Sequence, residues 1–301
     1  MKQAHLRLTA RIARPSDFRL IRRLCRRAAG PRDYVLSIIR ETIDDGGLFL
    51  AWRDSELVGM TNFEKCVDGS GWLSMARTDP AWRRSGVALF LQRQIAFYAK
   101  RRGITTLRLW TSSKNKPSIS AIRKGGFRQV CEAAHISYHF KTKTKNTTIH
   151  HCNRVSESQL KSLLGSGYLS QMSGYLAYKW HFVKANKRLL RLVLRRGELY
   201  AVGGSVFILT KPERIFGELE TSLTLLTGKV TSSLSYSKET AKALGARAIG
   251  AYIPYDRYKL RTAVKLGFKR EHWGRHCLVF ERNTPLTNNW YVSGPKLSRT
   301  H

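Results

Sequence analysis

Apolar positions in the first 140 residues follow two kinds of pattern. Alternation with polar residues predicts strands, and recurrence every three or four residues predicts helices. The strands predicted in this way are residues 6–12, 48–52, 57–66, 71–78 and 105–110, with further strand from Phe127. The predicted helices are one beginning at Pro15, then residues 31–43, 87–102 and 118–124. The resulting order, β-α-α-β-β-β-α-β-α-β, predicts an α/β domain with a mixed sheet.

A polar stretch separates this domain from a second region. Residues 143–155 have little apolar content and several basic residues, which is typical of a linker. We therefore predict a first domain over residues 1–142, a second over 156–283 and a C-terminal tail over 284–301. In the second region the predicted helices are 160–164, 175–183, 238–244 and 258–265, and the predicted strands are 189–194, 200–209, 223–227, 248–253 and 277–281.

A short repeat links the two regions. Residues 115–127 read N-K-P-S-I-S-A-I-R-K-G-G-F, and residues 256–268 read D-R-Y-K-L-R-T-A-V-K-L-G-F. Lys, Gly and Phe coincide at a constant offset, after one predicted strand and before another. Matching element order on both sides of the linker favours duplication. The predicted fold is therefore α/β, with two similar domains in tandem, each a mixed β-sheet flanked by helices.

Composition argues against several classes of protein. No apolar run approaches the roughly 18 residues that a membrane span needs, and residues 1–14 lack the uninterrupted apolar core of a secretion signal. We therefore expect a soluble, cytoplasmic protein without a membrane partner. The 5 cysteines are scattered and form no Cys-x-x-Cys pair, so neither a zinc site nor a disulfide framework is predicted. We interpret His150-His151-Cys152 as part of the polar linker.

The net charge is the unusual feature of the composition. The chain has 54 Lys and Arg against 20 Asp and Glu, a formal charge of +34. Of these basic residues, 29 fall in residues 1–150 and 25 in residues 151–301, so the excess is not a detachable tail. Such a surface is expected of a protein that binds a polyanion. A lineage-wide basic composition, or an adaptation for solubility, is the alternative.

One segment has the character of a phosphate-binding turn. It follows a predicted strand, opens a predicted helix and reads Arg83-Arg84-Ser85-Gly86-Val87-Ala88. A helix N-terminus exposes unpaired backbone amides and the positive end of its dipole, and both attract phosphate. Gly86 allows close approach of the backbone, and the two arginines add charge for phosphoryl oxygens.

This segment resembles the Q/R-x-x-G-x-G/A signature of the GNAT acetyltransferases. Two further resemblances follow in order, Ala76-Arg77-Thr78 to the family's splayed fourth strand, and Asn115-x-x-Ser118 with Lys124-x-Gly126-Phe127 to its N-x-x-A/S…K-x-G-F pattern. The resemblance covers residues 7–140. It implies that residues 83–88 hold the pyrophosphate of acetyl-CoA, that Ala76, Arg77 and Thr78 pair with the pantetheine arm, and that Asn115 and Ser118 cover the distal arm.

The sequence departs from that family where proton transfer is concerned. Many members carry a tyrosine seven residues after the Asn to protonate the departing thiolate, and here that position is Ile122. Tyr98 or a water would have to substitute, or the thiolate leaves unaided. Glu64 is the candidate catalytic base, and the alternative reading is an exposed strand carboxylate paired to a basic neighbour. Asp79 is a second candidate, better explained as a turn-capping residue.

The second region lacks the phosphate motif. After the strand predicted at 223–227 the chain continues Gly228-Lys229-Val230-Thr231-Ser232-Ser233, without the spacing of the signature, and Asp256 stands where the first region has Asn115. The resemblance therefore implies two GNAT-like domains in tandem, with the second a degenerate copy that shapes the acceptor site.

The favoured function is transfer of an acetyl group from acetyl-CoA to an amine, by direct attack in a ternary complex. A nucleic-acid- or ribosome-associated binding protein without turnover, and an amino-acid or small-metabolite acetyltransferase, both stay open. The predicted helix with Arg19 to Arg27 is basic and amphipathic, and either contacts nucleic acid or is merely solvated. No RNA-binding fingerprint or zinc-finger spacing is present.

Overall fold

The structure is a computed structural model that describes residues 7–141, 156–215, 217–273 and 275–284. The described residues form two compact units. Unit 1 contains residues 7–109, 117–128 and 281–284, and unit 2 contains residues 110–116 and 129–280 apart from those not described. The predicted linker at 143–155, with His150-His151-Cys152, and the tail beyond Thr284 lie outside the described residues.

Unit 1 is built on five strands. They are β1 (Leu8–Ile12), β2 (Leu48–Arg53), β3 (Glu56–Lys65), β4 (Gly71–Thr78) and β5 (Thr106–Ser112), whose last residues group with unit 2. They are ordered β1-β2-β3-β4-β5. Neighbours are antiparallel except β4 and β5, which are parallel. This mixed pattern requires a crossover between β4 and β5, and a helix supplies it.

Four helices accompany these strands. They are α1 (Phe18–Ala29), α2 (Val35–Asp44), α3 (Val87–Arg101) and α4 (Lys116–Lys124). α1 buries Ile21, Leu24 and Cys25 in a core shared with α2, β2 and β3. α3 provides the crossover and ends before Gly103, whose φ of +70° suits a glycine after a helix.

Unit 2 contains parallel and antiparallel strands and a separate hairpin. Its strands are β6 (Arg128–His139), β7 (Tyr175–Tyr178), β8 (His181–Lys184), β9 (Leu199–Val202), β10 (Ser205–Leu209), β11 (Glu213–Ile215), β12 (Glu218–Thr227), β13 (Ala248–Pro254), β14 (Lys269–Arg270) and β15 (Cys277–Asn283). The order β6-β13-β12-β10-β9 includes one parallel pair, β12 with β13. β7 and β8 pair only with each other among the described strands.

The helices of unit 2 are α5 (Glu157–Leu164), α6 (Gly167–Gln171), α7 (Lys187–Arg195), α8 (Val230–Ala243) and α9 (Arg257–Lys265). α8 connects the two parallel strands, as α3 does in unit 1. A core that includes Phe207, Leu234 and Phe268 joins the sheet to α8 and α9. The predicted α/β class with mixed sheets is confirmed.

The helix predicted at 175–183 is wrong. The segment forms the hairpin β7–β8, with a turn at Lys179, whose φ is +56°. The strand predicted at 189–194 is also wrong, because this segment belongs to α7. Asn186 caps that helix by accepting a hydrogen bond from the Leu189 amide at 2.9 Å. The helix predicted at 238–244 begins earlier, at Val230.

β6 groups with unit 2, whereas the sequence analysis placed residues up to 142 in the first domain. β6 pairs with β13 along most of its length, from Ala133 opposite Pro254 to His139 opposite Ala248. These hydrogen-bonded neighbours group residues 129–139 with unit 2 although they follow α4 in sequence.

Candidate functional site

The connection from β4 to α3 has an unusual backbone. Asp79 accepts a hydrogen bond from the Ala81 amide at 3.0 Å and starts a 3-10 turn over Pro80–Trp82. Two left-handed residues follow, Arg84 with φ +65° and Gly86 with φ +90°, and α3 begins at Val87. Successive turns of this kind orient neighbouring backbone amides toward one point.

Six consecutive amides lack a protein acceptor here. In the described chain, the N–H groups of residues 84–89 donate no backbone or side-chain hydrogen bond of good geometry, and the first bond of the helix runs from the Phe90 amide to the Gly86 carbonyl at 2.9 Å. α3 is 15 residues long, so the positive end of its dipole adds to these free donors. A Cβ built on Gly86 would meet no atom within 4 Å, so this side of the turn is open. The turn has the donors and the space for a phosphate group.

Gly59 in β3 lets α3 approach the sheet at this turn. A Cβ at residue 59 would lie 2.5 Å from Val87 Cγ1 and 3.2 Å from the Arg77 carbonyl oxygen. Only glycine therefore allows the first residue of α3 to rest on β3 in this position. The sequence analysis missed this residue, although a glycine inside a predicted strand signals a close backbone approach.

β4 separates from β5 soon after it begins. The two strands pair at Gly71 with Leu107 and at Trp72 with Arg108. Farther along, β4 carries a bulge at Met75, whose φ is +55°, and its register against β3 shifts there. The segment Ala76–Thr78, predicted to contact the pantetheine arm, follows this bulge, so β4 is splayed as the resemblance implies.

The arginines near the turn have different roles. The Arg77 guanidinium binds both carboxylate oxygens of Asp33, at 2.8 and 2.6 Å, so only its backbone is left for a ligand. Arg83 Nη2 donates to the Ala28 carbonyl at 2.8 Å, which ties the turn to the end of α1. Arg84 and Ser85 are exposed, and Ser85 donates its hydroxyl to the Trp82 carbonyl at 2.6 Å.

Glu64 lies on β3 beside a second polar residue. Asn62 Nδ2 donates to Glu64 Oε1 at 2.8 Å, and Asn62 faces Ser74 across the β3–β4 register. Asn62 is only 3 % exposed, yet its Oδ1 has no protein partner, and neither has Ser74 Oγ. Buried polar atoms of this kind normally bind water or a ligand. Asp79, the alternative base, instead caps the 3-10 turn and pairs with Arg27 at 2.6 Å.

The residue at the family's tyrosine position, Ile122, and the alternative proton donor, Tyr98, are both packed against other side chains. Ile122 is 4 % exposed, so the side chain at the family's tyrosine position is part of the core. The Tyr98 ring makes edge contacts with Phe49 and Phe63, and the Arg102 guanidinium lies 3.6 Å from its centroid. These contacts explain Tyr98 as a packing residue of α3.

Asn115 and Ser118 stand at the start of α4, as predicted. The Asn115 amide donates to the Ser112 carbonyl at 2.9 Å, and Ser118 lies in the first turn. Asn115 belongs to unit 2 and Ser118 to unit 1. The β4 segment and residues 83–88 all belong to unit 1, where they are consecutive in the chain.

The corresponding connection in unit 2 is much shorter. β12 ends at Thr227 and α8 begins at Val230, with Gly228 and Lys229 between them. Gly228 has φ +102°, and a Cβ there would lie 2.5 Å from Ser205 Oγ, so this turn is closed against β10. Asp256 caps α9 by accepting from the Lys259 amide at 2.8 Å, which accounts for an acid at that position.

The residues of the described chain contain no cluster of three His, Cys, Asp or Glu side chains suited to a metal. The four cysteines of the described chain are buried, and burial raises the pKa of Cys25 and of Cys277 to about 12, so neither is a thiolate at neutral pH. None of its helices combines the length and the apolar character that crossing a bilayer requires.

Residues 17–127 match the model of the Acetyltransferase (GNAT) family. That range includes the splayed β4, the turn at 83–88 and α4, which carry the resemblance in the sequence. No curated protein matches the chain.

Solved structures extend the likeness to the whole chain. A GCN5-related N-acetyltransferase from Sphaerobacter thermophilus aligns with a TM-score of 0.58 at 12% identity, over 97% of this chain and 98% of that one. A proposed acetyltransferase from Pyrococcus horikoshii aligns with a TM-score of 0.54 at 17% identity, over 92% and 89%. At these identities the likeness shows a shared GNAT fold and nothing of the substrate.

Proposed function

We propose that the protein is an N-acetyltransferase that binds acetyl-CoA in unit 1. The observation that carries this proposal is the run of free amides at residues 84–89, at the N-terminus of α3. A diphosphate fits these donors because its oxygens can accept hydrogen bonds from backbone amides, and the positive end of the α3 dipole stabilises its negative charge. The match of residues 17–127 to the GNAT model supports acetyl-CoA as the donor.

The other predicted cofactor residues follow from this placement. Arg83, Arg84, Ser85, Gly86, Val87 and Ala88 form the pyrophosphate turn, and the backbone of Ala76, Arg77 and Thr78 takes the pantetheine arm. Asn115 and Ser118 cover the distal arm. The side chain of Arg77 contributes indirectly, since its bond to Asp33 holds β4 against the start of α2.

The chemistry requires an amine close to the thioester. Its nitrogen forms a bond to the thioester carbonyl carbon, the carbon–sulfur bond breaks, and CoA leaves as the thiolate. Glu64 accepts the proton that the amine nitrogen loses, directly or through water, and the Asn62 hydrogen bond orients its carboxylate. With Ile122 in the core, the departing thiolate is protonated by water. Proximity and backbone amides supply most of the acceleration.

We further propose that residues 1–142 and 156–283 are tandem GNAT-like domains, and that the second no longer binds acetyl-CoA. In each, an antiparallel strand precedes two parallel strands, which are β4 and β5 in the first and β12 and β13 in the second. A helix connects the parallel strands, and a helix of 9 residues, α4 or α9, follows them. Gly126 and Gly267, which end those second helices, both have positive φ. The short connection at Gly228 removes the cradle from unit 2.

The test of function is release of free thiol from acetyl-CoA with pooled amine acceptors, namely a lysine peptide, an N-terminal peptide, tRNA and free amino acids. Turnover with one class supports an enzyme. Glu64→Gln should lower kcat by about 10²-fold or more if the carboxylate is the base, with unchanged affinity for acetyl-CoA. Tight acetyl-CoA binding without thiol release from any acceptor favours the second candidate, a nucleic-acid-associated protein without turnover, which the charge of +34 supports.

A further inference from the structure

One face of α1 consists of arginines. The spacing i, i+3, i+4, i+7, i+8 places five of them side by side along the helix. The opposite side of α1 buries Ile21 and Leu24 in the core. The exposed side borders an open groove of about 390 Å³. The arginine face of α1 comprises Arg19, Arg22, Arg23, Arg26 and Arg27.

Four of these five charges have no carboxylate partner. The acids that flank α1 in the sequence are already paired, Asp17 with Arg11 and Asp33 with Arg77. Asp79 pairs with Arg27 at 2.6 Å and so neutralises one end of the face. Within the described chain, no ion pair involves the other four arginines. Placing four guanidinium groups together without counter-charges is unfavourable unless a ligand or solvent ions balance them.

A basic helix in unit 2 shows the contrary arrangement. On α7, both Lys187 and Arg191 pair with Glu157, whose pKa is lowered by these two hydrogen-bonding partners. The exposed face of α7 is basic in sequence, but Glu157 of the same unit neutralises part of its charge. α7 therefore provides an internal comparison for α1.

The arginine face begins beside the phosphate turn and extends away from it. Arg83 donates to the Ala28 carbonyl, and Arg27 pairs with Asp79, so the C-terminal end of α1 is fixed to the turn. From Arg27 to Arg19 the helix rises by about 12 Å, at roughly 1.5 Å per residue. One acyl donor already has its phosphate site at residues 84–89, and its few phosphates do not account for a second row of charges this long.

We propose that the arginine face of α1 binds the phosphate backbone of a nucleic acid. Each guanidinium presents a planar fork that matches a phosphate group, and a strand of nucleic acid presents phosphates repeatedly along its length. The excess of 34 positive charges over the chain fits a ligand of many charges. The assignment does not depend on turnover, and it places a nucleic acid next to the proposed cofactor turn.

The experiment measures binding of a fluorescent single-stranded oligonucleotide, a labelled tRNA and a duplex DNA at salt concentrations from about 50 to 200 mM, where phosphate contacts are salt-sensitive. The variant is Arg19→Gln with Arg22→Gln, Arg23→Gln and Arg26→Gln. It should weaken binding at least about tenfold and reduce the salt slope by about one unit per arginine that contacts a phosphate. Thermal unfolding checks the fold, since Ile21 and Leu24 are unchanged.

The matched control is Lys187→Gln with Arg188→Gln, Arg191→Gln and Arg195→Gln on α7, which removes the same charge. Its binding and salt slope should change by less than half as much. Equal losses from both variants would show a non-specific charge effect and overturn the assignment. So would wild-type protein that binds none of the three probes at 50 mM salt, or polyglutamate that competes as well as the oligonucleotide at equal charge.

Acetyl-CoA affinity separates this assignment from the proposed function. The α1 variant should bind acetyl-CoA within about twofold of wild type, because residues 84–89 are unchanged. A variant that loses acetyl-CoA and keeps the oligonucleotides would assign the arginine face to the cofactor instead, which contradicts the proposal. Loss of oligonucleotide binding alone leaves the acetyltransferase assignment untouched.

Discussion

The β4–α3 connection of unit 1 and the β12–α8 connection of unit 2 differ in length and conformation. Each leads from the first of two parallel strands into the helix that joins them. In unit 1 the chain takes residues 79–86 to pass from β4 to α3, with a 3-10 turn and two left-handed residues. In unit 2 it takes only Gly228 and Lys229 to pass from β12 to α8. The first connection leaves six amides without a protein acceptor and has open space beside Gly86, whereas the second packs against Ser205 at Gly228.

Under the proposed function, this difference assigns phosphate binding to the connection in unit 1. Every helix has free amides in its first turn, so α8 has them as α3 does. What unit 2 lacks is the longer loop that adds donors before the helix and keeps the approach open. In the proposed tandem arrangement, the capacity for phosphate binding therefore depends on the connection and not on a fold that both units share.

The largest effect is expected from charge at the open turn. Gly86→Asp places a carboxylate beside the amides of residues 84–89, and acetyl-CoA affinity should fall at least about 100-fold, as expected for an uncompensated like charge close to phosphate. Gly86→Asn is the matched control, because both side chains meet the same positive φ and the same open space. Calorimetric titration should find affinity much closer to wild type for the Asn variant. Equal loss in both would attribute the effect to the backbone.

The second largest effect is expected at the glycines that allow close packing at each connection, Gly59 in unit 1 and Gly228 in unit 2. Gly59→Ala forces a Cβ against Val87 Cγ1, and should lower the free energy of unfolding by about 1–3 kcal/mol and weaken acetyl-CoA binding. Adding Val87→Ala removes the clashing atom and should recover part of both. Gly228→Ala in unit 2 clashes with Ser205 and should destabilise the protein without changing the affinity. If Gly228→Ala weakened acetyl-CoA binding as much as Gly59→Ala, the contrast between the turns would fail.

Two buried groups of unit 2 should titrate in opposition. Burial lowers the pKa of His135 to about 3, so its contribution to stability is full above pH 6.5 and declines as the pH falls toward 3. Burial and the charges of Glu218 and Glu271 raise the pKa of Glu220 to about 7, so its contribution is full below pH 4.5 and declines as the pH rises toward 7. Between pH 4.5 and 6.5 the two groups change the free energy of unfolding in opposite directions as the pH changes, and the two changes nearly cancel.

Single variants separate the two slopes. From pH 6.5 to pH 5, His135→Phe should gain about 2 kcal/mol in the free energy of unfolding and Glu220→Gln should lose about as much, at 1.36 kcal/mol per pH unit. Urea unfolding across this range is the measurement. If both variants follow the nearly flat wild-type profile, the two groups titrate normally in the folded state. Acetyl-CoA affinity at pH 7 should be unaffected, since both residues belong to unit 2.

The smallest effect is expected from Asp256→Asn. The substitution gives α9 the residue type that precedes α4, where Asn115 stands. Because asparagine caps a helix about as well as aspartate, stability should change by only a few tenths of a kcal/mol. Asp256→Ala removes the bond to the Lys259 amide and should cost about 1 kcal/mol. Thermal unfolding distinguishes the two. Asp256→Asn should not create a second acetyl-CoA site, because the cradle at Gly228 is still absent.

The sequence predicted most of unit 1 because its signals are local. Helical and strand periodicity located β2 to β4 and α1 to α3 to within a few residues, and α3 begins at the predicted Val87. The spacing of Arg83 and Gly86 predicted a phosphate turn without its dihedral angles. The domain boundaries, the individual cofactor residues and Glu64 stay predictions.

Non-local contacts account for what the sequence did not predict. Nothing near Arg77 in the chain indicates that its side chain binds Asp33, and nothing near Gly59 indicates Val87 above it. The hairpin β7–β8 turns at Lys179 without a glycine, so its apolar run resembled a helix. Asn186 did provide a capping signal for α7, which the short apolar run of residues 189–194 obscured.

The most direct test of the central claim is the number of acetyl-CoA molecules that each chain binds. Calorimetric titration of the wild-type chain should give one site, and Gly86→Asp should abolish it while the protein stays folded. A titration that gives two equivalent sites per chain, or one site that survives in Gly86→Asp and is lost when the connection at Gly228 is altered, would contradict the assignment of acetyl-CoA to the open turn of unit 1.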